Sequence, residues 1–332
     1  MSSPAYEIAP CPVCGDREST EVAGPDEMRA EVEALWEFHT RRLRPDTPPE
    51  QLLDRVAFSL HPPLRVVECA TCGLIYRNPR ERERELRDTY QGEEPDRATL
   101  ESLLENQRVA YQVQVRRLAE EMGRAGTGLE VGSYVGAFLD AARDEGWQFE
   151  GLDVNPVANE FTRQRGHRVS LGDLESLDAA RRYDAIAIWN CFDQLPDPRA
   201  AAAKVRALLA PGGVVAIRVP NGAFYARVRT SLHGPAAPAA RALLAHNNLL
   251  AFPYRHGFTL RSLALLLGKV GLAITRTHGD PLVPIADEWT RGWAAAEERA
   301  LKTMLRALSH AGSAGAEASP WIEVYARHRD QG

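Results

Sequence analysis

From Gly128 onward the chain alternates short apolar runs with stretches whose apolar residues recur every three or four positions. The runs fall at 129–132, 149–153, 168–171, 183–189, 214–219, 273–277 and 321–326. Helical spacing fills the gaps. That is the strand-helix arithmetic of an α/β protein with a doubly wound, seven-stranded, Rossmann-like sheet. Ahead of it, Pro95 and Asp96 open a long helix with the stripe Leu100, Leu104, Tyr111, Val115, Leu118 and Met122, and Gly123 closes it. This helix reads either as ordinary docking or as cover for a ligand pocket. Further forward, Met28, Val32, Leu35, Trp36 and His39 predict a helix over 26–43, stopped by Pro45, Pro48 and Pro49 before a second over 50–57. The mixed charges of 80–88 read as a solvated helix face.

Composition changes this picture in three ways. At 332 residues, 44% apolar and 26% charged, the chain is long enough for two domains with a substantial core. Its formal charge is −5, and the first ninety residues hold 12 Arg against 17 Asp and Glu, so that segment is a poor platform for a phosphate backbone. The opening residues lack a basic stretch followed by an apolar one, and no run approaches 18 apolar residues; a cytoplasmic protein without a membrane span is expected. Only Lys204, Lys269 and Lys302 are lysines, a bias that suggests a GC-rich genome rather than a functional choice.

Four of the five cysteines form two C-x-x-C-G knuckles, Cys11 with Cys14 and Cys69 with Cys72. Two such turns supply four thiolates to one tetrahedral Zn2+, and a closed four-thiolate site is structural because no position remains open for chemistry. A redox dithiol or disulfides are the alternatives. The 54 residues between the knuckles exceed the spacing of a compact ribbon. The longer loop costs roughly 1 kcal/mol more to close, against roughly 10–16 kcal/mol of apparent zinc binding. The expected organisation is a zinc ribbon over 1–80 with a helical insertion near 25–58, linking helices over 81–123, and the sheet domain over 124–330. Cys191, the fifth cysteine, reads as a buried inert thiol.

The first strand of the sheet runs into Glu130, Gly132, Ser133, Tyr134, Val135 and Gly136. A pyrophosphate fingerprint, G-x-G-x-x-G, has its second glycine where Tyr134 stands and its third where Ala137 stands, so a dinucleotide is disfavoured. A ligand without phosphates needs less clearance, and Glu130 suits one that carries positive charge. Asp153 ends the second strand, where a carboxylate can accept both hydroxyls of a ribose, and Asp173 ends the third. Each acid alone is more often a cap or turn residue; the ordered set is not.

These motifs resemble those of class I S-adenosylmethionine-dependent methyltransferases. LEVGSYVGAF is similar to motif I, GLDVNP to the acidic second motif, LGDLESL to the adenine-side loop, YDAIAIWNCFDQLPDP to the motif after strand four, and ALLAPGGVVAIRVPN completes the series. The front, CPVCG with CATCGLIYRNPR, resembles the zinc-knuckle prefix of a bacterial subgroup of the methyltransferase-23-like superfamily. The resemblance implies S-adenosylmethionine as cofactor. It sets Glu130, Gly132, Tyr134 and Gly136 against its methionine and ribose part, Asp153 on the ribose hydroxyls, Asp173 and Leu174 at the adenine, and Trp189 and Asn190 beside the methyl-transfer pocket.

Two departures stand out: Tyr134 replaces a small residue in motif I, and Gln194 stands where a His is common. A base is needed only if the acceptor starts protonated. His256, in the polar and aromatic segment 247–259 that the family uses on the acceptor side, is the first choice, His246 the second and Asp193 the third. A loop histidine that merely packs beside the next helix is the plain alternative. A helix over 287–311, inserted near 285–312, presents Trp289, Trp293, Ala296, Ala300, Met304 and Leu308 for a homodimer contact or a wall of the acceptor site. The reading is methylation of a small-molecule acceptor, at oxygen. The rivals are a nucleic-acid or protein methyltransferase docking through its ribbon, and a catalytically silent cofactor-binding scaffold.

Overall fold

A computed structural model describes residues 6–56, 61–82, 95–282, 288–309 and 312–329. In chain order the elements are β1 (Tyr6–Glu7), β2 (Ser19–Ala23), α1 (Pro25–Arg42), α2 (Pro49–Val56), β3 (Val66–Cys69), β4 (Ile75–Arg77), β5 (Arg80–Glu81), α3 (Arg97–Met122) and β6 (Thr127–Val131). Next come α4 (Ala137–Asp144), β7 (Gln148–Asp153), α5 (Pro156–Gln164), β8 (Val169–Leu171), β9 (Tyr183–Trp189), α6 (Pro198–Leu208), β10 (Leu209–Pro220), α7 (Gly222–Arg229) and α8 (Ala237–Ala245). The last are β11 (His256–Gly257), α9 (Leu260–Lys269), β12 (Leu272–Asp280), α10 (Gly292–Ser309), α11 (Gly312–Glu317) and β13 (Trp321–His328). They form two compact units. One comprises Met1–Arg80, Val219–Leu263 and Thr277–Glu323, the other Glu81–Arg218, Ala264–Arg276 and Val324–Gly332.

The second unit holds the seven-stranded sheet, ordered β12-β13-β10-β9-β6-β7-β8. β7 pairs with β8, β6 with β7, β9 with β6 and β10 with β9, all parallel, as right-handed crossovers through helices require. The strands expected at 129–132, 149–153, 168–171, 183–189, 214–219, 273–277 and 321–326 each fall on one of these seven, with ends shifted by a few residues. Near-continuous apolar runs such as Tyr183–Trp189 follow from burial on both faces. Asp96 caps α3 by accepting from the Thr99 N–H at 2.8 Å, and Gly123 ends it in the left-handed conformation. Val115 and Leu118 of that helix pack with Phe138, Trp147, Trp189 and Tyr325 in one cluster. Each large apolar side chain buried there is worth roughly 1.5–3 kcal/mol.

The first unit is assembled from distant parts of the chain. Its four-stranded sheet has the order β11-β4-β3-β2, in which His256 pairs with Tyr76 and Gly257 with Ile75. This edge strand carries no alternation that a sequence reading could catch. Glycine is needed on both sides of a close approach here: a β-carbon on Gly222 would lie 2.3 Å from the Gly257 carbonyl oxygen, and one on Gly257 would lie 2.9 Å from the Gly222 Cα. Met28, Leu35 and Phe38 of α1 bury against Phe224, Tyr225, Leu249, Phe252, Tyr254 and Trp321, so the helical insertion shares a core with residues some two hundred positions later. Part of the helix expected over 50–57, at Ala57, and residues 83–88 of the charged run lie outside the described residues; Arg80–Glu81 are strand. Trp293, Met304 and Leu308 of α10 are exposed. No helix among the described residues is long and apolar enough to cross a membrane.

Candidate cofactor site and cysteine centre

β6 and β7 lie in register, Glu130 opposite Gly151 and Val131 opposite Leu152. The chain leaves β6 through Gly132 (φ 75°), passes Tyr134 (φ 41°) and reaches Gly136 (φ 73°), which starts α4. A β-carbon at Gly132 would sit 2.8 Å from the Cβ and Sγ of Cys191, so glycine is required by backbone angle and by its protein neighbour, before any ligand is considered. Asp153 ties the turn down. Its Oδ2 accepts the Tyr134 N–H at 2.9 Å and its Oδ1 the Asn155 N–H at 2.8 Å, while its spare lone pairs remain for hydroxyl donors.

Charge in this region is one-sided. Glu130 is buried, and its Oε2 has no hydrogen-bond partner among the described residues. Burial, and then the charge of Asp153, push its carboxyl well above the usual carboxylate range. Burial also raises Asp153 against the pull of its two backbone amides, and takes the fully buried Asp193 up to about 7. The Cys191 thiol is pushed up by burial and by Asp153, Asp193 and Glu130, which makes it an inert thiol. Buried acids whose charged form is disfavoured by desolvation are groups that a cationic ligand would stabilise as carboxylates. The donor set therefore fits a ligand bearing a sulfonium and an ammonium together with ribose hydroxyls.

The other expected contacts are more ordinary in placement. Asp173 caps a 3-10 turn, Leu174–Ser176, by accepting the Ser176 N–H at 3.0 Å, and Leu174 is buried. Trp189 turns its ring into the core, 5.4 Å from Phe138. Asn190, at φ 55°, follows β9 and accepts from Arg218 Nε at 2.8 Å. Arg218 was not singled out in the sequence; only its position at the end of β10, level with Trp189, could have signalled it.

In the first unit, Cys11, Cys14, Cys69 and Cys72 place their sulfurs within 4.8 Å of one another. Cys11 and Cys72 are 3.5 Å apart and Cys14 and Cys69 3.4 Å, far beyond the roughly 2.05 Å of a disulfide and close to the roughly 3.8 Å edge of a tetrahedron with 2.3 Å metal–sulfur bonds. A shared hydrogen bond with Cys72 brings Cys11 down to about 5 and pushes Cys72 up. The four thiols fit a metal ion.

His256 and His246 also belong to the first unit. His256 is almost fully buried in β11, 5.8 Å from the Phe258 ring. His246 ends α8, edge-on to Phe38 at 4.9 Å, with Nε2 3.5 Å from Glu297 Oε1; burial pulls its pKa down. The segment between them is strained. Asn248, Ala251 and Phe252 have φ of 55°, 64° and 42°, and with Tyr134 and Asn190 they are all the non-glycine residues of positive φ among those described. Each such residue costs roughly 1–3 kcal/mol and tends to persist where function demands it.

Residues 103–277 match the methyltransferase-23 family, defined as a methyltransferase domain, over more than half of the chain. The chain belongs to this family. It therefore carries a class I S-adenosylmethionine-dependent methyltransferase domain. Among solved structures it is similar to DesVI of Streptomyces venezuelae, with 21% identity over 38% of this chain and 58% of that one, at a TM-score of 0.34. It is similar to CalS10, an amino pentose methyltransferase from Micromonospora echinaspora, with 28% identity over 33% and 49% and a TM-score of 0.31. The plantazolicin methyltransferase BpumL shares 14% identity over 74% and 94%, at 0.45. The chain thus spans about half the length of the first two. No curated protein sequence matches it.

Within the methyltransferase domain, the departure at Tyr134 acquires a physical account. Its backbone ties the turn into the fold: the N–H donates to Asp153 and the carbonyl accepts from Thr162 Oγ1 at 2.8 Å. The ring packs against the cluster of Leu100, Leu104, Val135 and Phe161.

Proposed function

We propose that the protein transfers a methyl group from S-adenosylmethionine to a hydroxyl of a small molecule, and that Cys11, Cys14, Cys69 and Cys72 hold one structural Zn2+. The observation that carries the cofactor reading is the buried, uncompensated carboxylate of Glu130 beside Asp153 at the ends of β6 and β7. When bound, the cofactor supplies an electrophilic methyl on a sulfonium. Glu130 binds the cationic methionine end, Asp153 accepts from the ribose hydroxyls, and the Gly132 to Gly136 turn with Asp173, Leu174 and Asn190 completes the cradle. The cofactor would supply the methyl group to the acceptor oxygen, and this chain's part would be to align that oxygen and take up its proton on a base, for which His256 is the first choice and His246 the second.

A small acceptor is supported by the acidic front segment and by the way the ribbon folds into its own unit, where Arg77 and β4 hold residues 253–257. The test has three parts: calorimetry with S-adenosylhomocysteine, elemental analysis for zinc, and transfer of tritiated methyl into the small-molecule, protein and RNA fractions of a cell extract. Tight binding of the product, one zinc per chain and label confined to the small-molecule fraction are expected. Label in RNA or protein would move the function to the docking reading, and product binding without transfer to any fraction would leave a silent scaffold.

A further inference from the structure

Midway along α1, Glu31 is a buried carboxylate inside the first unit. Tyr225 Oη donates to it at 3.2 and 3.1 Å, Arg229 Nε donates at 3.0 Å, and the backbone N–H of Ala251 donates to Oε2 at 3.1 Å. Arg229 also donates to the Val22 carbonyl, which fixes the partner of the carboxylate. The amide it holds is a particular one. Ala251 stands in the left-handed turn of Asn248, Ala251 and Phe252, a conformation that residues bearing a β-carbon resist.

The grip continues along the chain. Arg77 Nε donates to the Tyr254 carbonyl at 2.9 Å, its Nη2 to that of Pro253 at 2.9 Å, and its backbone N–H to that of Arg255 at 3.1 Å. His256 then pairs with Tyr76 in the sheet. From Ala251 to His256 the segment is thus held by the ribbon and its helical insertion. A buried ion is a poor way to add stability and a good way to select one conformation.

We propose that Glu31 is a positioning residue that fixes the Asn248–Phe252 turn and, through it, the segment that carries His256. The assignment of that segment to the acceptor side rests on the function proposed above. Under this proposal the helical insertion shapes the acceptor segment, which gives it a role other than docking a macromolecule.

Glu31→Ala and Glu31→Gln test it by three readouts: hydrogen exchange at 248–252, affinity for S-adenosylhomocysteine, and tritiated methyl transfer into a small-molecule extract. In Glu31→Ala the turn should exchange faster and transfer should slow about 10- to 100-fold, with product affinity changed by less than about twofold. Glu31→Gln keeps the volume and one acceptor oxygen, so both effects should be present and smaller. The proposal is overturned by faster exchange with an unchanged rate, by a lower rate with unchanged exchange, or by a loss of product affinity alongside the rate. If Glu31→Ala does not fold, the same readings on Glu31→Gln decide. A wild-type protein that binds S-adenosylhomocysteine but labels nothing in the extract sinks the acceptor reading alone, and Glu31 then stands or falls on the exchange of the turn.

Discussion

The two units are held together over very different stretches of chain. In the methyltransferase unit, β6, β7 and β8 pair in succession, and the turn after β6 is tied by Asp153 only 19 residues past Tyr134. In the ribbon unit, Glu31 reaches Ala251 across 220 residues, and Arg77 reaches Tyr254 across 177. Local repetition lets hydrophobic periodicity assemble β6 to β10 of the first kind, with β13 joining β10 from beyond residue 320, whereas the second must close long loops before most of its contacts reward it. Strong individual bonds then replace repetition: a four-thiol centre, a buried carboxylate with its arginine, and an arginine on consecutive carbonyls.

That contrast can be broken most severely at the cysteines. Chelation or Cys69→Ser should remove the proposed Zn2+, whose apparent binding in such four-thiolate sites is roughly 10–16 kcal/mol, and strip exchange protection from β2, β3 and β4 while β6 and β7 stay protected. Equal loss in both units would show that they do not depend on different forces. Next in size, His256→Ala should lower turnover by about 10²- to 10⁴-fold with affinity for S-adenosylhomocysteine intact. A variant that keeps its rate would leave His256 as a packed strand residue and favour an acceptor that needs no base.

In the methyltransferase unit, Gly132→Val combines a disfavoured backbone angle with overpacking on Cys191, each roughly 1–3 kcal/mol, and should lower the melting temperature as well as product affinity. Lost affinity with unchanged stability would mean that the ligand, rather than Cys191, needs the space. Asp153→Ala should weaken product binding by roughly 1.5–3 kcal/mol, partly by releasing the Tyr134 amide. Titration showing wild-type affinity would remove Asp153 from the cradle.

The smallest expected effect concerns pH. Asp184 accepts from the Thr127 N–H and hydroxyl at 2.9 Å, which lower its pKa, and from Arg124 at 3.0 Å. Because its folded-state pKa is depressed, its contribution is present above the ordinary carboxylate range, near 4, and fades as pH falls through the lower folded value. Urea melts of wild type and Asp184→Asn should converge below that range and diverge above it. Melts that stay parallel would show the bond to be without consequence.

Legibility follows the same division. The seven strands, the Asp96 cap, the Gly123 stop and the cysteine pairs were readable because each is written in neighbouring residues. The ring neighbours of Trp189 were not, since an apolar run buried on both faces does not say which side chains each residue meets. Nor was the neighbour of Gly132, Cys191, or the bond from Arg218 to Asn190. Asp173 turned out to carry the plain capping bond alongside its proposed ligand role.

By itself, then, the sequence determined what short-range physics can encode: the periods of strand and helix, the order of the motifs, the knuckles and the acids at strand ends. Only the tertiary structure decided that His256–Gly257 would complete the ribbon's sheet, that a helix inserted between the knuckles would share a core with Phe252 and Trp321, and that Glu31 would meet Ala251. Such choices depend on which distant surfaces exclude water together and which buried polar groups find partners. Neither is a property of any window of the chain.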